Sequence, residues 1–508
     1  MIILNGMNLT LEKFLQITEG FHPVGITEGA RKRVRDSRKR VEDILAKKTV
    51  VYGVNTGFGK LSDHRIMSDD LETLQENLLK SHACGTGDLF DETIVRGMML
   101  LRINALITGH SGVREVTIDT MLAMLNKNVV PVVYEKGSLG ASGDLVPLAH
   151  MALPLIGLGE AFFGGKRMAG KEAMMKAGIK PLDGLQAKEG LALINGTQAM
   201  TSVAAHALIN AEKTFEASYA SSALTFEALK GITDVFDERV HLIRNQVGQI
   251  EVARTMRLLL IDSGNTTHQG EDHIQDAYAL RCVPQVHGPT LETLRYVRER
   301  VEREMNAATD NPVVLDDGKA VSAGNFHGQA VALVMDYLSI AMSELANITE
   351  RRIERLVNPA LNRGLPAFLV EKKGLNSGFM IIQYVAASLV SENKGLAHPA
   401  SVDSIPSSGN QEDHVSMGTI SARRALTIVE HATTVVGLEL MSASQALDFR
   451  GSGSLSKASQ AVYNTVRKHI PFIHEDTVMQ PYIETMHRLV KTGTIAKEIE
   501  PWLSKTRH

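Results

Sequence analysis

Residues 137–143 combine three glycines and two serines, and the chain turns apolar from residue 145 onward. Asp144 is a favourable N-cap residue and Pro147 fits a first helical turn, so a helix is predicted to begin at this point. Ala141, Ser142 and Gly143 would then lie on the loop that precedes the helix. Unpaired N–H groups and the positive end of a helix dipole favour negative charge that develops there during a reaction.

The triplet also has a chemical option of its own. Gly143 lacks a Cβ, so its amide nitrogen could be pressed against the carbonyl carbon of Ala141 if the fold held that strained turn. Ring closure with loss of water, together with dehydration of Ser142, would leave an exocyclic methylene conjugated to carbonyls. Ordinary side chains supply no such electrophile. The other interpretation is a glycine-rich turn into a helix, and the triplet alone does not decide between the two.

Two further side chains could act near such a group. Tyr52 lies on the glycine-rich loop 51–60, which has the spacing of neither a P-loop nor a dinucleotide fingerprint. A tyrosine on such a loop is usually a half-buried packing residue, and a catalytic phenol is the alternative. His82 follows a helical leucine stripe in residues 71–79. A histidine in such a place is more often a hydrogen-bonded, partly buried residue than one that binds a ligand.

Two later stretches carry polar groups suited to an amino acid. Gln275, Tyr278 and Arg281 are spaced three apart, so on a helix they would share one face. The guanidinium of Arg281 suits a carboxylate because its fork pairs with two oxygens, although an exposed polar face explains the spacing as well. Glu412 could accept a hydrogen bond from an imidazole N–H more strongly than a neutral amide could.

Composition places the chain among ordinary globular proteins. Of its 508 residues, 44% are hydrophobic and 22% charged, and the formal net charge is −3. This charge gives no strong field for nucleic acid, and the basic stretch 31–40 is interrupted by Asp36 and has no interleaved aromatic residues. Cys84 and Cys282 are too few for a disulfide framework, which predicts a reducing compartment.

Membrane and metal sites are not predicted. The N-terminus lacks the pattern of a secretory signal, and Asp336 and Glu344 interrupt the apolar segment 328–348. The histidines of segment 268–287 lack the closed ligand spacing of a zinc site, so no metal is expected. We therefore expect a soluble, cytoplasmic protein that acts on a small molecule.

Helical periodicity dominates the elements that must position these groups. Residues 29–47 and most of 70–127 read as helix, and the apolar spacing from Val334 to Ile348 follows one helical face for several turns. A small β-hairpin is predicted around Asn5-Gly6. The pattern indicates a mainly α protein with a long helical bundle core and a smaller N-terminal α+β region. A soft boundary near residue 200 divides an N-terminal region, 1–200, that carries the triplet from a C-terminal helical region, 201–508.

The longer motifs resemble one family. Residues 140–145, Gly-Ala-Ser-Gly-Asp-Leu, resemble the prosthetic-group segment of the aromatic amino acid ammonia-lyases, in which the triplet matures by itself into 4-methylideneimidazol-5-one. The Tyr52 loop and segments 189–200, 324–328 and 409–414 also match, so the resemblance covers nearly the whole chain. It implies a fumarase/aspartase-like helical fold and a homotetramer whose active sites combine residues from several subunits.

The resemblance also implies roles for individual residues. The electrophile would form from Ala141, Ser142 and Gly143, without a dissociable cofactor. Catalytic roles are implied for Tyr52, as the base, and for Tyr278. Substrate-binding roles are implied for His82, Asn195, Gln275, Arg281, Asn325, Phe326 and Glu412.

Histidine is the substrate that these motifs favour. The Ser81-His82 pair resembles the histidine-specific members, whereas tyrosine-specific relatives place a histidine one residue earlier. Relatives that act on phenylalanine or tyrosine usually lack a carboxylate at the position of Glu412. The expected reaction is elimination of ammonia from L-histidine to give trans-urocanate, the first step of histidine breakdown.

Three other functions stay open at this point. A tyrosine or phenylalanine ammonia-lyase, or an aminomutase, would use the same electrophile on a different amino acid. An inactive helical assembly protein could retain the fold without the chemistry. A fumarase-like lyase without the internal group shares the architecture but leaves the Ala-Ser-Gly segment unexplained.

Overall fold

The computed structural model describes residues 1–504 and is built mainly of α-helix, which confirms the predicted fold class. The α-helices of the described residues are α1 Leu11–Thr18, α2 Glu28–Ala46, α3 Leu71–His82, α4 Glu92–Leu106, α5 Glu115–Asn126, α6 Leu145–Ala152, α7 Gly170–Lys176, α8 Glu189–Ile194, α9 Gln198–Ala228, α10 Glu238–Arg244, α11 Val247–Leu260, α12 Tyr278–Arg281, α13 Val283–Met305, α14 Gln329–Val357, α15 Met380–Leu396, α16 Gly418–Arg450, α17 Lys457–His469, α18 Gln480–Lys491 and α19 Thr494–Leu503.

The strands of the described residues are short and form four small sheets. They are β1 Ile2–Leu4, β2 Val24–Ile26, β3 Thr86–Leu89, β4 Val130–Pro131, β5 Tyr134–Lys136, β6 Glu160–Phe163, β7 Lys166–Ala169, β8 Val313–Val314 and β9 Ala320–Val321. β1 pairs with β2 in parallel, β3 with β5 and β8 with β9 antiparallel, and β4, β6 and β7 form a three-stranded sheet in the order β4-β6-β7.

The predicted hairpin at Asn5-Gly6 is wrong. Ile2 pairs with Val24, and so β1 has its partner in a distant strand and not in the next residues. The Asn5 side chain accepts a hydrogen bond from the backbone N–H of Met7, a local turn that leaves the following segment free of β1. Non-local pairing has overridden a local turn signal.

The described residues divide into two compact units. The first contains Met1–His206, Arg298–Asp336 and Pro399–Arg423, and it includes every strand of the described chain. The second contains Ala207–Val297, Tyr337–His398 and the chain from Arg424 onward. Four of the five boundaries between the units fall within the four longest helices, α9, α13, α14 and α16, and the fifth lies between His398 and Pro399, after α15. The boundary near residue 200 drawn from the sequence stays a prediction.

Three short helices of the first unit, α3, α6 and α8, pack against one another. The predicted leucine stripe of α3 is confirmed, since Leu71, Leu78 and Leu79 are buried. His82 is the last residue of α3, the Ala-Ser-Gly triplet immediately precedes Asp144 at the start of α6, and Asn195 follows the end of α8. Three ends of helices thus bring predicted site residues to one place.

The second unit has a paired charge in its core. Glu439 of α16 is fully buried and accepts hydrogen bonds from the hydroxyls of Ser221 at 2.6 Å and Thr225 at 2.7 Å. Arg352 of α14 donates to both of its oxygens, at 2.5 and 2.9 Å. The carboxylate is therefore both paired and hydrogen-bonded, as a buried charge requires.

By length and composition alone, α14 could cross a membrane. The most apolar 18-residue window of this helix is 67% buried within the protein. A core helix of a water-soluble protein gives the same pattern, so this helix is weak evidence for a membrane span.

Candidate active site

A close approach of two backbone segments shapes the turn at the triplet. Gly143 has φ +72°, and a Cβ built on it would lie 2.2 Å from the carbonyl oxygen of Gly196. The backbone N–H of Asp144 donates to that same oxygen at 2.7 Å. Glycine is therefore required at residue 143 for two reasons, the left-handed conformation and the lack of space for a side chain.

Asp144 stands at the start of α6, as predicted, but its side chain does not cap that helix. Its Oδ2 accepts a hydrogen bond from the backbone N–H of Met200, in the first turn of α9, at 2.7 Å. Its Oδ1 accepts from Ser138 Oγ at 3.0 Å and from Thr419 Oγ1. Burial raises the pKa of this carboxyl to about 6, although the hydrogen bonds oppose the rise. Asp144 thus ties the triplet loop to two other segments.

Ser142 and Glu412 are in direct contact. The Ser142 hydroxyl donates to Glu412 Oε1 at 3.1 Å, and the hydroxyl of Ser407 donates to Oε2 at 3.3 Å. The backbones of Ser407 and Glu412 also pair, with an N–H···O distance of 2.9 Å from Ser407 to Glu412. Both carboxylate oxygens of Glu412 are therefore held by serine hydroxyls.

A cleft of about 450 Å³ is lined by Tyr52, His82, Ser142, Asn195 and Glu412, together with apolar side chains such as Leu78. The volume lies within the usual range for small-molecule sites. The structure therefore brings these five predicted residues together. Ala141 and Gly143 line a smaller neighbouring cavity of about 210 Å³, which shares His82 and Glu412 with the cleft.

Burial shifts the pKa values of Tyr52 and His82 in opposite directions. Burial raises the pKa of the Tyr52 phenol, and the negative charge of Glu412 raises it further. Burial lowers the pKa of His82, which the charge of Glu412 partly opposes. His82 Nδ1 lies 3.0 Å from Ser81 Oγ, and Tyr52 accepts a hydrogen bond from the backbone N–H of Gly59 at 3.3 Å. Near neutral pH both side chains are therefore uncharged in this unit.

Asn195 is buried at the wall of the cleft. Its backbone carbonyl accepts a hydrogen bond from Arg102 Nη1 at 3.1 Å, which fixes the turn after α8. Its side-chain Oδ1 is buried and has no hydrogen-bond partner among the described residues. A buried amide oxygen in this state is costly and indicates that a ligand or group supplies the missing donor.

The remaining predicted residues lie elsewhere in the chain. Asn325 is exposed in the first unit, between β9 and α14, and Phe326 beside it is half-buried. Tyr278 and Arg281 belong to the second unit, where α12 places the Arg281 guanidinium 4.6 Å from the centre of the exposed Tyr278 ring. The Arg281 Nε has no hydrogen-bond partner among the described residues.

The prediction that Gln275 shares a helical face with Tyr278 and Arg281 is wrong. α12 begins only at Tyr278, after Ala277 in extended conformation, and Gln275 lies in the preceding loop. Buried Asp276 holds that loop by accepting hydrogen bonds from the backbone N–H of Ile232 and from Arg363. These contacts oppose continuation of the helix toward its N-terminus.

Sequence reasoning missed the residues that support the site. Arg102 is fully buried on α4 and donates to Gln198 and to the Asn195 carbonyl. An arginine among the apolar residues of α4 was an available signal, because such a charge requires buried partners. Ser407, which holds Glu412, carried no comparable signal in its local sequence.

Metal-binding clusters are not found in the part of the chain that the structure describes. Groups of three or more His, Cys, Asp or Glu side chains placed to hold an ion do not occur among residues 1–504. The cleft at the triplet is lined by a hydroxyl, a carboxylate, a phenol and an imidazole.

Comparison with known proteins gives a consistent result. The family model described as aromatic amino acid lyase matches residues 9–468. A histidine ammonia-lyase of Bacillus subtilis is 54% identical over 496 residues, covering 97% of each chain, and one of Alkaliphilus oremlandii is 53% identical over 500 residues, covering 98% of each. Among solved structures, histidine ammonia-lyase from Trypanosoma cruzi has a TM-score of 0.91 at 40% identity, covering 99% of this chain and 95% of that one. Tyrosine aminomutase from Streptomyces globisporus has a TM-score of 0.94 at 35% identity, covering 98% of each.

Proposed function

Because the chain belongs to the aromatic amino acid lyase family, we propose that it is an ammonia-lyase that converts L-histidine to trans-urocanate and ammonia. The observation that carries this proposal is the cleft that unites Ser142 with His82 and Glu412. His82 and Glu412 favour an imidazole ring in the substrate. The relatives named histidine ammonia-lyase match the chain over nearly its full length.

The residues around the triplet fit the prosthetic group of the family. At Gly143 the backbone packs too closely on Gly196 for any side chain, and this packing supports a turn in which the Gly143 nitrogen approaches the carbonyl carbon of Ala141. The buried, unpartnered amide oxygen of Asn195 beside Ser142 is an acceptor that suits the amine of the substrate. We propose that Ala141, Ser142 and Gly143 form 4-methylideneimidazol-5-one, which supplies an electrophile that turns the substrate amine into a better leaving group.

Recognition of the imidazole ring follows from the charges in the cleft. Glu412 can accept a charge-assisted hydrogen bond from an imidazole N–H, and a neutral His82 can pair with the ring without repelling it. Leu78 and Leu191 line the cleft and suit the apolar faces of the ring. A phenyl ring has no N–H or O–H and would leave Oε1 of the half-buried carboxylate without a donor from the substrate, which costs binding free energy.

Removal of the β-proton is assigned to Tyr52. Burial and the charge of Glu412 raise the pKa of this phenol, which opposes its action as a base. A cation must therefore offset both effects in the complete site. We propose that Arg281 supplies it while binding the substrate carboxylate, and that Arg281 and Tyr278 reach the site from neighbouring subunits of a homotetramer. Gln275, Asn325 and Phe326 would complete the substrate site in the same assembly.

Incubation with L-histidine, L-tyrosine and L-phenylalanine separately tests the proposal. Urocanate should accumulate from histidine, visible in the near ultraviolet, with far slower turnover of the other two. Chromatography of the tyrosine and phenylalanine reactions for β-amino acids tests aminomutase activity, since the chain also resembles a tyrosine aminomutase in structure. Failure to form urocanate in fully matured protein would refute the assignment.

We also place the enzyme in the cytoplasm, where fractionation of the cells would find it.

A further inference from the structure

The Ser142–Glu412 contact joins a carboxylate to the hydroxyl that must leave the chain. Glu412 Oε1 lies 3.1 Å from Ser142 Oγ, across 270 residues of sequence. Hydroxide is a poor leaving group, so loss of this hydroxyl as water needs a proton delivered to Oγ. A group at this distance is within direct reach of Oγ.

The position of Glu412 is built into the fold. Ser407 holds Oε2, while Ser408, Gly409 and Asn410 all have positive φ, between +51° and +64°. Glycine and asparagine adopt that conformation readily, but a serine such as Ser408 adopts it rarely. The loop also packs on the tyrosine loop, since a Cβ on Gly59 would lie 2.6 Å from Ser408 Oγ. The carboxylate is therefore directed at Ser142 by a turn that Ser407 and the tyrosine loop support.

Other titratable groups near the triplet are less suited to this step. Both oxygens of Asp144 already accept hydrogen bonds, from Met200, Ser138 and Thr419. His82 has its Nδ1 beside Ser81 Oγ. Ser142 Oγ itself donates to Glu412, which leaves this carboxylate as the group positioned on the departing oxygen.

We propose that Glu412 carries the proton in the dehydration of Ser142 during formation of the electrophile. This inference rests on the proposed function. After the Gly143 nitrogen has bonded to the Ala141 carbonyl carbon and the first water has left, the carboxylate takes the proton from Ser142 Cα. The neutral acid then passes that proton to Oγ as the Cβ–Oγ bond breaks and the Cα=Cβ bond forms. Water leaves and Glu412 is ionised again, so the step needs no other reactant.

The same step prepares Glu412 for the substrate. Loss of Oγ removes the donor from Oε1, whereas Ser407 still holds Oε2. Oε1 is then free to accept a hydrogen bond from the substrate imidazole. One carboxylate thus serves first in maturation and afterwards in recognition of histidine.

The intact mass of freshly made full-length protein tests the inference without any substrate. Protein sampled at intervals after a short pulse of expression should lose the mass of two waters in the wild type. Glu412→Gln should lose the first water normally and the second roughly 100-fold more slowly, as expected for removal of an acid–base group. Glu412→Asp should recover part of that rate. Asp413→Asn removes the same charge from an adjacent exposed residue and should mature like the wild type.

The outcomes separate this inference from the proposed function. Loss of both waters by Glu412→Gln at the wild-type rate would overturn the role of Glu412 and leave the proposed function intact. Retention of both waters by the wild type would overturn both. If Glu412→Gln fails to fold, Ser407→Ala takes its place, with a slower second loss expected because Oε2 is released. An unchanged rate in that folded variant would overturn the inference as well.

Discussion

Replacement of Gly143 by alanine tests whether close packing at the triplet is what drives its cyclisation. Two costs follow from the geometry. A left-handed conformation costs a non-glycine residue about 1–2 kcal/mol. The new methyl group would also lie 2.2 Å from the carbonyl oxygen of Gly196, so backbone must move by about an ångström before contact is normal, which costs about 1–3 kcal/mol. The expected total destabilisation is about 2–5 kcal/mol.

The chain provides a matched control for the first of these costs. Gly165, in the turn between β6 and β7, has the same φ of +72°, but a Cβ there meets nothing within 4 Å. Gly165→Ala should therefore cost only the conformational part, about 1–2 kcal/mol. The difference between the two variants isolates the contact with Gly196.

Urea unfolding and intact mass measure the two consequences. Gly143→Ala should unfold at a lower urea concentration than Gly165→Ala, and it should retain both waters because the moved backbone no longer presses residue 143 on Ala141. Gly165→Ala should lose both waters. Equal unfolding midpoints, with both waters lost from Gly143→Ala, would refute the reasoning that connects packing to ring formation.

Two further predictions concern charged groups. The pKa of Asp144 is about 6 in the folded chain, against an ordinary value of 3.8, so the folded state binds this proton more tightly than the unfolded state. The free energy of unfolding should therefore fall by about 3 kcal/mol as the pH rises from 3.8 to 6. Asp144→Asn should lack that fall. Urea unfolding at several pH values measures it, and the same change of the free energy of unfolding with pH in both proteins would contradict the burial argument. Arg281→Ala should raise KM for histidine at least roughly tenfold, with Arg281→Lys in between, because a two-pronged ion pair with the carboxylate is lost. An unchanged KM in steady-state kinetics would contradict the assignment of Arg281 to the substrate carboxylate.

Local features of the chain were predictable from sequence because they depend on neighbours within a few residues. The leucine spacing of α3 and the helix start at Asp144 follow from helical periodicity and preferred first-turn residues, and both are confirmed. The same local reasoning failed at Asn5-Gly6 and at Gln275. In those places a distant strand and a buried aspartate determine the backbone instead.

By itself the sequence determined which residue types are present and the mainly helical character of the chain. The tertiary structure decided which of those groups meet. The contact between Ser142 and Glu412 spans 270 residues, and the Ser407 hydroxyl that holds it gave no local signal. The tertiary structure also decided the direction in which the pKa of Tyr52 shifts. Tyr52 needs a lowered pKa to act as a base, yet burial and Glu412 raise its pKa. The local sequence does not show this effect, because desolvation depends on which distant segments cover a side chain.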